Sequence, residues 1–109
     1  MGTALLVGSD DVALAAALGE VLAEVGASLA RDRDLAGEAD VVLLLLGDPL
    51  DVAPWLALYS ARARRIPVIV LLPFYDDHIA AQARACGAVA CHGLDQPVAN
   101  LSATLAEVM

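Results

Sequence analysis

Runs of large aliphatic residues, each cut short by Gly, Asp or Pro, alternate along this chain with stretches in which apolar residues return every three or four positions. The longest run, Val41 to Leu46 within DVVLLLLGDP, lies between Asp40 and Gly47-Asp48-Pro49. An aliphatic run without polar alternation suits a strand buried on both faces of a parallel sheet, so it is expected in mid-sheet. Thr3 to Val7 predicts a first strand that ends in the polar turn Gly8-Ser9-Asp10-Asp11. Leu14, Leu18, Val21, Leu22 and Val25 then form one apolar stripe at helical spacing, with Asp10 or Asp11 as N-cap and Gly26 as the stop. Ala27 to Ala30 predicts a short second strand, and Arg31 to Glu38 leaves room for one or two helical turns before the central strand.

Beyond the central strand, Asp48-Pro49 and Pro54 punctuate a loop, and Val52, Trp55, Leu56, Tyr59 and Ala63 have helical spacing through to Arg65. Ile66 to Leu72 is β-branched and apolar, with Pro67 near its start, where a missing ladder N–H is tolerated. Asp76 or Asp77 caps a helix predicted through Cys86, in which Ile79, Ala83 and Cys86 are expected to face the sheet. Gly87 stops this helix before a short strand, Ala88 to His92. Pro97 suits the first position of a last helix carrying Val98, Leu101, Leu105 and Val108. Strand and helix thus alternate, and right-handed crossovers make the chain an α/β, doubly wound, five-stranded parallel sheet with helices on both faces and a shortened second helix.

Composition narrows the function. The 109 residues are expected to form one domain, residues 1–109, and although 60% are hydrophobic no run approaches the roughly 20 residues of a membrane span. Without a basic leader the chain is expected in the cytoplasm. Fourteen acids against six arginines, with no lysine, give a net charge of −8 and oppose direct binding to a phosphate backbone. Arg62, Arg64 and Arg65 sit where they complement a helix dipole. Cys86 and Cys91 lack metal or redox spacing and are expected to be reduced and partly buried, and His78 and His92 have no nucleophile turn beside them. VGSDD is no dinucleotide fingerprint and there is no phosphate-binding glycine loop, so no cofactor is expected and the chain does not read as an enzyme.

Four stretches carry a resemblance. LLVGSDDVALAAALGEVLAEVG is similar to the first strand, acidic turn and first helix of bacterial response-regulator receiver domains; DVVLLLLGDP resembles their third strand and following proline, and PVIVLL and ACGAVACHGLD their fourth and fifth strands. The resemblance covers nearly the whole chain and implies the flavodoxin-like topology 2-1-3-4-5. It also implies the chemistry that is missing. Receivers accept a phosphoryl group on an aspartate at the end of the third strand, beside a Mg²⁺ held by acids after the first. Counting back from Pro49 or on from Asp40, the acceptor position is Leu45. Ser9 falls where the first metal-binding acid is expected and Asp10 where the second is. Leu72 replaces the hydroxyl of the fourth strand, Cys91 the switch aromatic of the fifth, and no lysine exists to pair with phosphate.

The resemblance therefore implies a degenerate receiver, acting in bacterial signal transduction or transcription control by phosphorylation-independent association with a protein. Asp48 as a substitute acceptor, or Asp10 with Asp48 as a weak divalent-cation pair, are the residual chemical readings; capping and solvation are the expected roles of both. The alternative is a small-molecule-binding regulatory domain that uses an apolar crevice above Leu45 and Leu72. In receivers the fourth helix, fifth strand and fifth helix form the output face, here about Asp76 to Met109. Phe74, Tyr75, Ala80, Ala81 and Arg84 are the residues expected to meet a sensor, an effector or a second copy there.

Overall fold

The structure is a computed structural model that describes residues 2–8, 11–30, 39–48 and 50–108. Five parallel strands form one sheet in the order β2-β1-β3-β4-β5: β1 is Gly2–Val7, β2 Ala27–Ala30, β3 Val41–Leu45, β4 Val68–Leu72 and β5 Ala90–Gly93. Four helices are described, α1 (Val12–Glu24), α2 (Val52–Ala63), α3 (Asp77–Ala85) and α4 (Val98–Val108). The expected fold and strand order are those observed. The crossover between β2 and β3, where a shortened helix was expected, lies outside the described residues.

β3 is the middle strand, paired with β1 on one side and β4 on the other. Because side chains alternate along a strand, its run feeds two cores at once. Val42, Leu44 and Leu46 pack with Val68, Val70 and Leu72 of β4 against Leu58 and Ala61 of α2 and Ala80 and Ala83 of α3. Val41 and Leu43 pack with Ile69 and Leu71 against Leu18, Val21 and Leu22 of α1 and Leu101 and Leu105 of α4. No buried polar or charged side chain interrupts either core among the described residues.

Helix ends follow local chemistry. The Oδ1 of Asp11 accepts from the amides of Ala13 and Leu14 at 2.9 and 3.3 Å, and that of Asp76 from His78 and Ile79 at 2.8 and 3.2 Å. At the far end of α2, Ile66 N donates to Ala61 O and Arg65 N to Arg62 O, a Schellman pair that holds Arg65 at φ 61°. Ile66 is therefore finishing a helix, which is why β4 begins at Val68 rather than at Ile66 as expected. Ala88 N likewise donates to Ala83 O and closes α3. β5 thus starts two residues later than its sequence suggests.

Of the residues that defined the spacing of α2, Trp55 packs partly buried against the core beside buried Leu58 and Ala61, whereas Val52, Leu56, Tyr59 and Ala63 are exposed, because α2 is apolar around most of its circumference. In α3 the buried residues are Ala80 and Ala83; Cys86 caps the helix and is exposed, contrary to the expected face.

Gly8 ends β1 at φ +91°, and a Cβ built there would stand 2.5 Å from the carbonyl oxygen of Leu45. Both the left-handed backbone and this main-chain approach require glycine. Gly8→Ala is expected to cost about 1–3 kcal/mol, read as a lower urea midpoint with unchanged slope.

Candidate functional site

The carboxyl edge of the sheet is where an open α/β fold builds its sites, and here the strand ends determine what can stand there. β3 delivers Leu45, partly buried and packed against the core on the α1 side. Its backbone is clasped on both sides: Gly8 crowds its carbonyl, and the next residue, Leu46, donates its N–H to Leu71 O at 2.9 Å. β4 delivers Leu72, 2% exposed, and β5 delivers Cys91, 4% exposed. The three positions that the resemblance marks as acceptor, hydroxyl and switch aromatic are thus brought to one edge of the sheet as two leucines and a thiol. None can hold a phosphoryl group or donate a strong hydrogen bond to one. Ser9 and Asp10 lie outside the described residues.

Asp48 is exposed in the loop after β3. Its Oδ1 accepts from Leu50 N at 2.9 Å and its carbonyl from Asp51 N at 3.0 Å, so the side chain closes its own turn. Among the described residues no group of three or more His, Cys, Asp or Glu side chains could hold a metal ion. Among the described residues, Asp48 and Asp51 beside Leu45 are engaged with backbone amides and do not match the donor set a receiver offers Mg²⁺, several carboxylates around an aspartyl acceptor.

Leu45, Gly8 and Asp48 line a cavity of about 960 Å³ together with Val7 of β1 and Ala57 and Arg64 of α2. Leu72 does not line it. Among the described residues the crevice expected above Leu45 and Leu72 is not favoured, because Leu72 is covered by the core between the sheet, α2 and α3.

The loops after β4 and β5 are locked together, a feature that sequence reasoning missed. Leu94 N donates to Leu72 O at 2.7 Å, and Tyr75 N donates to Asp95 Oδ1 at 3.0 Å. Gly93 N donates to Gln96 Oε1 at 3.0 Å, and a Cβ on Gly93 would fall 2.7 Å from that of Tyr75. The readable signal was Gly93-Leu94-Asp95-Gln96, a polar turn whose partner lies 20 residues away. This lock ties down the Phe74-Tyr75 loop: Tyr75 is half-buried against the core and Phe74 is left 78% exposed.

Of the residues expected on the output face, Phe74, Ala81 and Arg84 are exposed and Tyr75 is partly so. Ala80 is a correction. It is 2% exposed and faces the sheet, because α3 rests on it and on Ala83. Arg84 stands close enough to β5 to act on two groups there. Burial raises the Cys91 thiol above its ordinary value, outweighing the opposing charge of Arg84. Burial and then the charge of Arg84 lower His92. Thr104 gives its hydroxyl proton to Asn100 O at 3.1 Å, so His92 Nε2 is assigned as the donor across the 2.8 Å contact to Thr104 Oγ1.

Solved structures with this architecture include receiver domains. The signal receiver domain of a DNA-binding response regulator from Colwellia psychrerythraea superposes with a TM-score of 0.78 at 21% identity, covering 99% of this chain and 98% of that one. The Vibrio cholerae chemotaxis protein CheY4 gives 0.76 at 16% identity, with 100% and 99% covered. A response regulator from Thermotoga maritima gives 0.81 at 14% identity, with 99% and 97% covered. At these identities the likeness is one of fold. Neither a family model nor a curated protein matches the sequence.

The two thiols should separate chemically. Only the thiolate reacts, and Cys91 is both buried and held protonated. Under native conditions at neutral pH a thiol reagent is expected to modify Cys86 alone, with Cys91 reacting after denaturant is added; mass spectrometry of the quenched protein reads the order.

Proposed function

We propose that this chain is a receiver-like signalling domain that acts without phosphorylation, by binding a protein partner, and that it is not an enzyme. The observation that carries the reading is Leu45 at the end of the central strand, where a phosphoacceptor would need a carboxylate. Leu72 and Cys91 extend the argument. With no hydroxyl to move toward phosphate and no aromatic to follow it, the edge has nothing through which phosphorylation could be coupled to another surface. Asp48 is a poor substitute acceptor, since its carboxylate is engaged with Leu50 N.

The surface proposed for the partner is built on the locked loops and α3. Phe74 supplies an exposed aromatic on a fixed support, which limits the entropy lost on binding. On α3, Ala81 and Ala85 are exposed small residues, and Arg84 adds one cation near its end. A partner helix can approach such a surface closely.

Incubation with acetyl phosphate and Mg²⁺ is expected to leave the intact mass unchanged; a phosphate adduct on Asp48 would sink the proposal. Phe74→Ala combined with Ala81→Glu is expected to weaken capture of the cognate partner roughly tenfold or more without altering the circular dichroism spectrum. Unchanged capture by this variant would place the working surface elsewhere.

A further inference from the structure

The outer face of α2 is apolar along its whole length, which no requirement of the fold explains. Val52, Leu56 and Tyr59 are 62, 62 and 71% exposed and follow one another at i, i+4 and i+7, with Ala63 continuing the row. They stand opposite Leu58 and Ala61, which bury the other side of the helix in the core. From Val52 to Ala63 the helix contains one charged residue, Arg62. A helix face left in water ordinarily carries charged and polar side chains, and a contiguous apolar stripe bounded by charge marks an association surface.

The ends of the stripe indicate what covers it. Asp48 and Asp51 stand exposed at the amino end of α2, and Arg62, Arg64 and Arg65 stand exposed at its carboxyl end. No ion pair engages these three arginines among the described residues. An element that is acidic at one end, apolar in the middle and basic at the other is complementary to itself when turned end for end. Two copies set antiparallel across a two-fold axis bring the acids of each within reach of the arginines of the other, whereas a parallel arrangement would oppose like charges. With the axis near the middle of the Val52 to Ala63 row, Leu56 lies against Tyr59 of the second copy and Val52 against its Ala63. Leu50, 88% exposed at the amino end, lies toward the second copy's arginine end.

We propose that the α2 face is an isologous dimer interface between two copies of this chain, antiparallel and separate from the Phe74 surface. A helix of 12 residues is about 18 Å long, so the contact falls at the small end of specific interfaces and the dimer is concentration-dependent. The net charge of −8 on each copy opposes association at a distance, which makes the local pairing of acids with arginines the condition for close approach.

Light scattering on the full chain across a wide concentration series tests this. The mass is expected to rise from the monomer's 11.2 kDa toward twice that value. Leu56→Glu and, independently, Tyr59→Lys are expected to hold it at the monomer value with unchanged circular dichroism, since both side chains face solvent in the single chain. Arg64→Glu, which sets acid against acid, is expected to shift the midpoint of association to higher concentration. A monomer at every concentration, or a dimer that a folded Leu56→Glu or Tyr59→Lys variant forms as well as the parent chain, would overturn the proposal.

Discussion

The structure depends on a strand that has no solvent side. β3 is flanked by neighbours along both edges and covered by helices on both faces, so every side chain from Val41 to Leu44 is buried and serves one of two cores. That burial removes apolar surface from water on both faces of the sheet and fixes the register of β1 and β4. It also limits chemistry. A strand with aliphatic residues to its last position presents an aliphatic end, and Leu45 and Leu46 carry the core out to the edge where receivers carry their acceptor.

The rest of that edge has followed suit. Among the described residues, carboxylates at that edge are engaged in shaping turns: Asp11, Asp51 and Asp76 cap helices, Asp48 closes its own loop, and Asp95 ties the loop after β5 to the loop after β4. Carboxylates satisfied by backbone amides stabilise the scaffold and are poorly placed to exchange protons or ligands. Two exposed features have no role in holding the fold: Phe74 on its locked support, and the apolar row on α2.

Much of this was legible in the sequence, for definite reasons. Parallel strands read as aliphatic runs, and Gly26 and Gly87 mark helix ends because both adopt positive φ. Those signals gave the strand order through the resemblance and gave β2 to the residue. What was not legible was orientation. α2 carries apolar residues around most of its surface, so spacing could not tell the row at Val52, Leu56 and Tyr59 from the buried pair Leu58 and Ala61. In α3 the alanines are interchangeable by composition, and only packing distinguishes buried Ala80 from exposed Ala81. The lock between the loops joins Tyr75 to Asp95, a contact between segments that no local pattern links. The missing chemistry, by contrast, was readable because Leu45 is placed by counting along a strand.

The central claim is that Leu45 belongs to a site rebuilt for packing, and Leu45→Asp tests it most directly. The account predicts that this substitution lowers stability by about 1–3 kcal/mol, because it places a carboxylate against apolar neighbours, and that the variant still takes up no phosphate from acetyl phosphate with Mg²⁺. A variant as stable as the parent that becomes covalently phosphorylated at position 45 would contradict it, since the receiver's machinery would then be intact around a single lost residue.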